Sequence, residues 1–379
     1  MRRARRLIGI ACFAGVALTG PLALAQGSAA GSAPTQAGAD RGVSAVPFYS
    51  SADLAQGVYR YWHLPQAEAF AARAADLAQA LADHCPRAQP GERPPAELQQ
   101  RWRAAAQVWD RLTGVLVGPL VERRVLHQLD FTPTRPELIE RAIRSAPADA
   151  QAMERIGTPA KGLPALEWLL WSRPERLGKG PDAPACRYAV QVAAELAREA
   201  VSLREGFAAA APAGETSEDE PDAPAQAATA MSELVNQFVG GIERLRWLNI
   251  EKPLRSAAPG KPPAFPRMAA GATAQAWAAQ WEALRTLAVA PAGVAAPQPG
   301  TGLITIEHFL RGWGRHELAD KLRRSIPAVD QRMRGLAPAS PRQRLLDASR
   351  ELSAFKRLIE AEVAPAMKIN IGFSDADGD

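Results

Sequence analysis

A glutamate closes the pattern G-L-x-x-[LI]-E-x-[LF]-L twice, once in Gly162-Leu163-Pro164-Ala165-Leu166-Glu167-Trp168-Leu169-Leu170 and again in Gly302-Leu303-Ile304-Thr305-Ile306-Glu307-His308-Phe309-Leu310. A carboxylate at such a position could bind a ligand. Leu166, Trp168 and Trp171 supply apolar bulk around Glu167, which would desolvate it and raise its pKa. A first-turn carboxylate also has a purely structural use, offsetting the helix dipole by about 0.3–1 kcal/mol. Both readings stay open. Proline is tolerated in the first turn of a helix, so the spacing predicts a helix that begins at Pro164. In the second copy Glu307 neighbours His308 and Arg311, which predicts an ionised carboxylate at the surface. His316 shares the helical face of His308 only if the helix runs unbroken through Gly312 and Gly314, which two glycines disfavour.

Other candidate ligands are weaker. His127 and Asp130, at helical spacing before Phe131, read as a solvated pair, and His63 and His84 stand alone. No H-E-x-x-H, paired C-x-x-C or G-x-S-x-G occurs, so a conventional zinc peptidase or serine hydrolase has no support. The run Asp375-Ala376-Asp377-Gly378-Asp379 resembles the start of a calcium loop. Such a loop needs a bidentate glutamate at its twelfth position, so these acids read as solvated, with Phe373 anchoring Ile369–Phe373 to the fold.

The elements that must hold these residues are helical. The chain has 379 residues, 47% hydrophobic and only 6% aromatic. Alanine is abundant and β-branched residues are seldom clustered, which argues against a sandwich or barrel. Apolar stripes predict helices over Ala67–His84 and Leu98–Val117, the latter carrying Trp102, Trp109 and Leu112. Shorter helices follow Pro136 and Pro164. A long one spans Arg187–Ala209, with Val192, Leu196, Leu203 and Phe207 on one face. Beyond it, Met231–Leu248, Ala274–Leu287, Leu303–Trp313, Leu318–Met333 and Pro341–Val363 carry the same periodicity. Most tryptophans read as core. The expected fold is all-α, two helical bundles related by a pseudo-symmetric duplication: 45–210 and 227–379, joined by an acidic, proline-rich linker or loop over 211–226.

The N-terminus bears on both charge and destination. Arg2, Arg3, Arg5 and Arg6 precede an apolar stretch from Leu7 to Leu24, and Ala23-Leu24-Ala25 is a small-x-small cleavage signal before Gln26. This is the pattern of a secretory signal peptide over residues 1–25, with a flexible tether over 26–44. Those arginines account for most of the formal net charge of +5, so a nucleic-acid partner loses its support. No later segment could span a membrane. Removing the signal takes Cys12 and leaves Cys85 and Cys186, an even pair in a chain bound for an oxidising compartment. A disulfide would staple two helix ends. Two separate buried thiols are the alternative, because sequence cannot supply the distance.

Four stretches together resemble one known family. GLPALEWLLW from Gly162 resembles the G-x-H-x-x-E motif of the imelysins, and Leu129–Arg135 (LDFTPTR), the Trp102/Trp109 helix ending in Gly118-Pro119, and Ile371–Asp379 (IGFSDADGD) fit as well. The resemblance, over roughly Val46 to Asp379, implies an all-helical protein of two pseudo-symmetric bundles, exported to the periplasm or outer membrane. It also implies a link to iron uptake and a historical class of metallopeptidases. The motif residues would be Gly162, Pro164 and Glu167, with Glu307, His308 and Asp130 as further metal or ligand candidates. Pro164 stands where the family has histidine. Imidazole and carboxylate three residues apart on one helical face can converge on a transition metal, and proline supplies no donor. The implied reading is a periplasmic binding protein in metal handling, with iron as the ion and an iron-uptake partner, whose metal affinity at the motif is altered or lost. An imelysin-type metallopeptidase and a peptide- or protein-binding module without metal are the alternatives; catalysis would need a metal-activated water beside a base.

Overall fold

Leucine, alanine and tryptophan recur at three- and four-residue spacing through most of the chain, and each such stripe has become the buried side of a helix. The computed structural model describes residues 45–88, 93–177, 183–211 and 222–372. Among them no strand forms, and the fold is all-α. The signal peptide and tether expected over 1–44 lie outside the described residues, as do 212–221 of the expected linker and Phe373–Asp379.

The first helices are α1 (Ser51–Val58), α2 (Leu64–His84) and α3 (Ala96–Leu112). Short ones follow: α4 (Pro119–Glu122), α5 (Val125–Leu129), α6 (Pro136–Ser145), α7 (Ala150–Glu154) and α8 (Gly162–Glu167), before the long α9 (Pro184–Ala210). The remainder are α10 (Ala223–Glu243), α11 (Lys252–Ser256), α12 (Thr273–Ala288), α13 (Ile306–Gly312), α14 (His316–Met333), α15 (Arg342–Leu358) and α16 (Ala364–Ala366). Helix α10 begins inside the segment expected to be linker. Among the described residues four stretches widen into π-helix: Tyr59–His63, Trp168–Ser172, Arg244–Glu251 and Ile359–Val363. Such widening is uncommon and is often found beside functional residues. The second of them follows Glu167 directly.

Helix α2 packs against both α3 and α9, and α8 sits on α3 and α9; α10, α14 and α15 form a second group with the π-helical turn Arg244–Glu251. α1 lies along α10, and α12 packs against α3, so one continuous apolar core runs from Tyr49 to Ile369. Close backbone approach makes this possible. A Cβ on Gly241 of α10 would come within 2.2 Å of the Gly114 carbonyl oxygen, and one on Gly114 within 2.5 Å of the Ala283 methyl. The Arg244 guanidinium then donates to the Thr113 carbonyl (2.6 Å), satisfying an oxygen just beyond the end of α3.

Cys85 follows α2, Cys186 lies in the first turn of α9, and their sulfurs are bonded with Cα atoms 5.6 Å apart. The alternative of two free thiols is therefore set aside. Trp102, Trp109 and Trp277 are buried in the core as expected, and Ile369 returns to it from the C-terminal side.

Candidate functional site

Helix α8 is short, and its neighbours hold it in place. Lys161 precedes it with its ammonium buried, donating to Glu195 (2.6 Å) of α9 and to the Met153 carbonyl. Two side chains of α3 grip its far side: Trp102 Nε1 donates to the Leu163 carbonyl (3.1 Å), and Gln99 donates to that of Leu170 (2.9 Å). The motif glycine has a steric reason. Gly162 adopts φ +72°, and a Cβ there would lie 2.1 Å from the Leu129 carbonyl oxygen. That contact brings Asp130, the next residue, beside the motif helix.

The helix begins at Gly162 rather than at Pro164, and Pro164 falls within its first turn. Glu167 is therefore its last α-helical residue. It cannot serve as a first-turn carboxylate facing the helix dipole, and that structural reading is corrected. The Glu167 side chain is buried instead, at 7% exposure, and its Oε1 accepts the Ala270 amide (2.9 Å). Burial raises its pKa, against the opposing pull of Arg267 and the Ala270 amide.

Arg267 is the centre of the site. Its guanidinium is buried and donates to both oxygens of Asp130 (2.8 and 2.6 Å) and to Asp110 Oδ1 (3.1 Å). Trp109 Nε1 donates to Asp130 Oδ2 (2.9 Å), fixing that carboxylate, and the guanidinium carbon lies 5.7 Å from the Trp102 ring centre. Burial alone would lower the pKa of Arg267, but Asp110 and Asp130 outweigh it and the net shift is upward. Burial pushes Asp110 up to about 6, with Arg267 opposing and the charges of Asp130 and Glu167 adding. From α3, Arg103 donates to the Ala270 carbonyl (2.9 Å), so the peptide unit region of Ala270 is held by Glu167 at its N–H and by Arg103 at its C=O.

Asp130 was expected to be a solvated partner of His127. It is not: its side chain is 13% exposed and committed to Arg267 and Trp109, while exposed His127 lies 3.2 Å from the Thr158 hydroxyl. Desolvation by the neighbouring tryptophans and a cation from a distant loop decided this, and neither is visible in the local sequence.

The second copy of the pattern is built differently. Residues before Thr305 are not helical; Thr305 caps α13 by accepting the His308 amide, and Glu307 occupies the first turn. The two glutamates thus fall in non-equivalent turns, Glu167 at the end of α8 and Glu307 at the start of α13, although the two copies share one sequence pattern. Glu307 is not at the surface either, being 1% exposed. Arg311 (3.0 Å) and Arg323 (2.7 Å), the latter from α14, pair with it and make that burial tolerable. His308 is buried beside it with a lowered pKa, chiefly through burial. His316 opens α14 after Gly314 (φ +70°) and is exposed, so the helix through His308 and His316 is broken as the glycines suggested.

The structure thus joins Glu167 and Asp130 around Arg267 and gives Glu307 and His308 a different set of partners. Sequence reasoning missed Asp110, Arg103 and Arg267. Asp110 carried a signal, since it is four residues from buried Ala106 and so falls on the apolar stripe of α3. Arg267 carried none.

A metal does not fit these donors as they stand. Pro164 offers no ligand atom, Glu167 Oε1 is taken by an amide, and the facing oxygens of Asp110 and Asp130 are taken by a guanidinium and an indole. Among the described residues no group of three or more His, Cys, Asp or Glu side chains converges as a metal site.

Residues 63–364 match the Imelysin (peptidase M75) family profile, and the chain belongs to this family. The fold is similar to that of an imelysin-like protein from Psychrobacter arcticum 273-4, with TM-score 0.67 and 18% identity over 86% of this chain and 100% of that one. It is also similar to a protein assigned as an iron-regulated protein A precursor from Parabacteroides distasonis ATCC 8503, with TM-score 0.56 and 13% identity over 82% and 95%. No curated protein matches the sequence.

Proposed function

We propose that this chain is an exported imelysin-like binding protein of periplasmic or outer-membrane metal handling, with iron as the metal of the process, and that its family motif has lost metal affinity. The observation that carries this reading is the state of the motif carboxylate: Glu167 is buried and spent on the Ala270 amide, beside two aspartates spent on Arg267. Asp110 and Asp130 are paired with a guanidinium, Glu167 Oε1 accepts an amide, and among the described residues no three such donors converge on a metal that could activate water, which favours binding over peptidase chemistry. Export is supported by the basic, apolar and small-x-small pattern of residues 1–25, and no helix among the described residues is long and apolar enough to cross a membrane. The iron connection rests on the family and on the iron-regulated protein that shares its fold.

Metal analysis of protein purified from the periplasm, with Pro164→His and Glu167→Ala beside it, tests the reading. Parent protein free of stoichiometric iron or zinc is expected. Stoichiometric metal in the parent that disappears in Glu167→Ala would overturn it.

A further inference from the structure

The cation in the middle of the motif site is covalently part of the chain. Three acidic side chains, Asp110, Asp130 and Glu167, face a buried region in which Arg267 is the cation paired with both aspartates. The geometry is specific to a planar fork. Two nitrogens of Arg267 meet both oxygens of Asp130, one of those nitrogens also meets Asp110, and Trp102 lies within cation–π range of the guanidinium. An ammonium, with a single nitrogen, cannot reproduce this two-nitrogen fork.

The backbone adds a second, independent observation. Arg267 adopts φ +61°, in the left-handed region that a side chain bearing Cβ enters at a cost of roughly 1 kcal/mol. Glycine would be the easy residue there. Arginine is held in that conformation by what surrounds it: the Ala272 amide bonds to its carbonyl (3.0 Å), Thr273 Oγ1 bonds to the Pro266 carbonyl (2.7 Å), and Ala270 is held by Glu167 and Arg103. Strain retained at a buried charged residue marks a position where the side chain matters more than the backbone preference.

Pro164 fits the same picture. It is three residues before Glu167 and so on the same helical face, where an imidazole would add a metal donor to a site already holding a positive charge. A metal and a buried guanidinium would repel each other at this range.

We propose that the motif site of this chain is a guanidinium site, with Arg267 as the resident cation among Asp110, Asp130 and Glu167. The proposal rests on the reading that the motif has lost metal affinity, and it names what took over. The ligand class follows: free guanidinium compounds should enter the space left when Arg267 is removed, and divalent metals should not, because among the described residues no three carboxylate, imidazole or thiol donors converge as a metal site.

Arg267→Gly makes the test, because glycine suits φ +61° and the variant loses the guanidinium without a backbone penalty. Thermal unfolding is followed with millimolar methylguanidinium, with methylammonium at the same concentration, and with Mn²⁺. The expected result is a lower melting temperature than the parent, partly restored by methylguanidinium and not by methylammonium or Mn²⁺. Equal melting of variant and parent, or rescue by Mn²⁺ and not by methylguanidinium, overturns the proposal. Should Arg267→Gly not fold, the double variant with Asp110→Asn removes a stranded carboxylate and should recover folded protein with weaker methylguanidinium binding; failure to recover it also overturns the proposal. A metal-free parent whose variant shows no methylguanidinium rescue would end the guanidinium assignment and leave the binding-protein reading standing, whereas Glu167-dependent metal in the parent would end that reading.

Discussion

Asp110 is an acid on a helical stripe otherwise occupied by Leu98, Trp102, Ala105, Ala106 and Trp109, and burial sets its titration. Its folded pKa of about 6 lies above the ordinary carboxylate value, so the folded state holds the proton more tightly. The group's contribution is then greatest below the unfolded pKa and is lost as pH rises through about 6. His63 acts in the opposite direction: burial against Phe207 lowers its pKa to about 4, so its contribution is present above the unfolded value and lost as pH falls toward about 4. Because the two windows overlap, the slope of the parent alone identifies neither group. The difference in urea unfolding free energy between parent and Asp110→Asn should change by up to about 3 kcal/mol between pH 4 and pH 7, with the parent relatively more stable at the acid end. A difference independent of pH would show that Asp110 does not titrate as its burial requires.

At the scale of elements, the motif is a contact between α8 and the chain at Leu129 before it is anything else. Gly162 lets the two backbones meet, and this contact sets Asp130 beside Arg267. Gly162→Ala would place a methyl 2.1 Å from the Leu129 carbonyl oxygen at a positive φ, so it should destabilise by roughly 3 kcal/mol or more or prevent folding. Gly302, its counterpart in the second copy, meets only the Pro297 side chain, with its nearest atom at 3.0 Å, and Gly302→Ala should cost much less. Comparative melting of the two variants decides this; similar losses would contradict the steric account. The same contrast explains why a repeat legible as letters became two unlike structures. In one copy glycine opens a helix, and in the other Thr305 caps it three residues later.

For the whole molecule, the bond between Cys85 and Cys186 closes a loop across a sequence separation of 101 and ties α2 to α9, which also pack along their length. In the chain-entropy picture such a loop contributes up to about 4–5 kcal/mol. Cys85→Ser together with Cys186→Ser should lower the melting temperature well beyond the effect of a surface substitution while leaving the helical circular dichroism of the folded protein unchanged. No loss of stability in the double variant would place the whole burden on the packing of α2 against α3 and α9.

The sequence by itself determined the helices, the cysteine pair and the family, because periodic burial, cysteine parity and short motifs are written in local order. Helix α2 starts three residues before its predicted position, and α9 also starts three residues early. The expectation that Glu167 is desolvated was legible from Leu166, Trp168 and Trp171. What could not be read locally was which charges meet. Arg267 is separated from Asp110 by 157 positions and from Asp130 by 137, and its loop, FPRMAAGA, shows no periodicity or motif. The same holds for Glu307, whose burial depends on Arg323 arriving from another helix. Burying a carboxylate is costly unless a cation is delivered to it, and only the tertiary structure decides which cation that is.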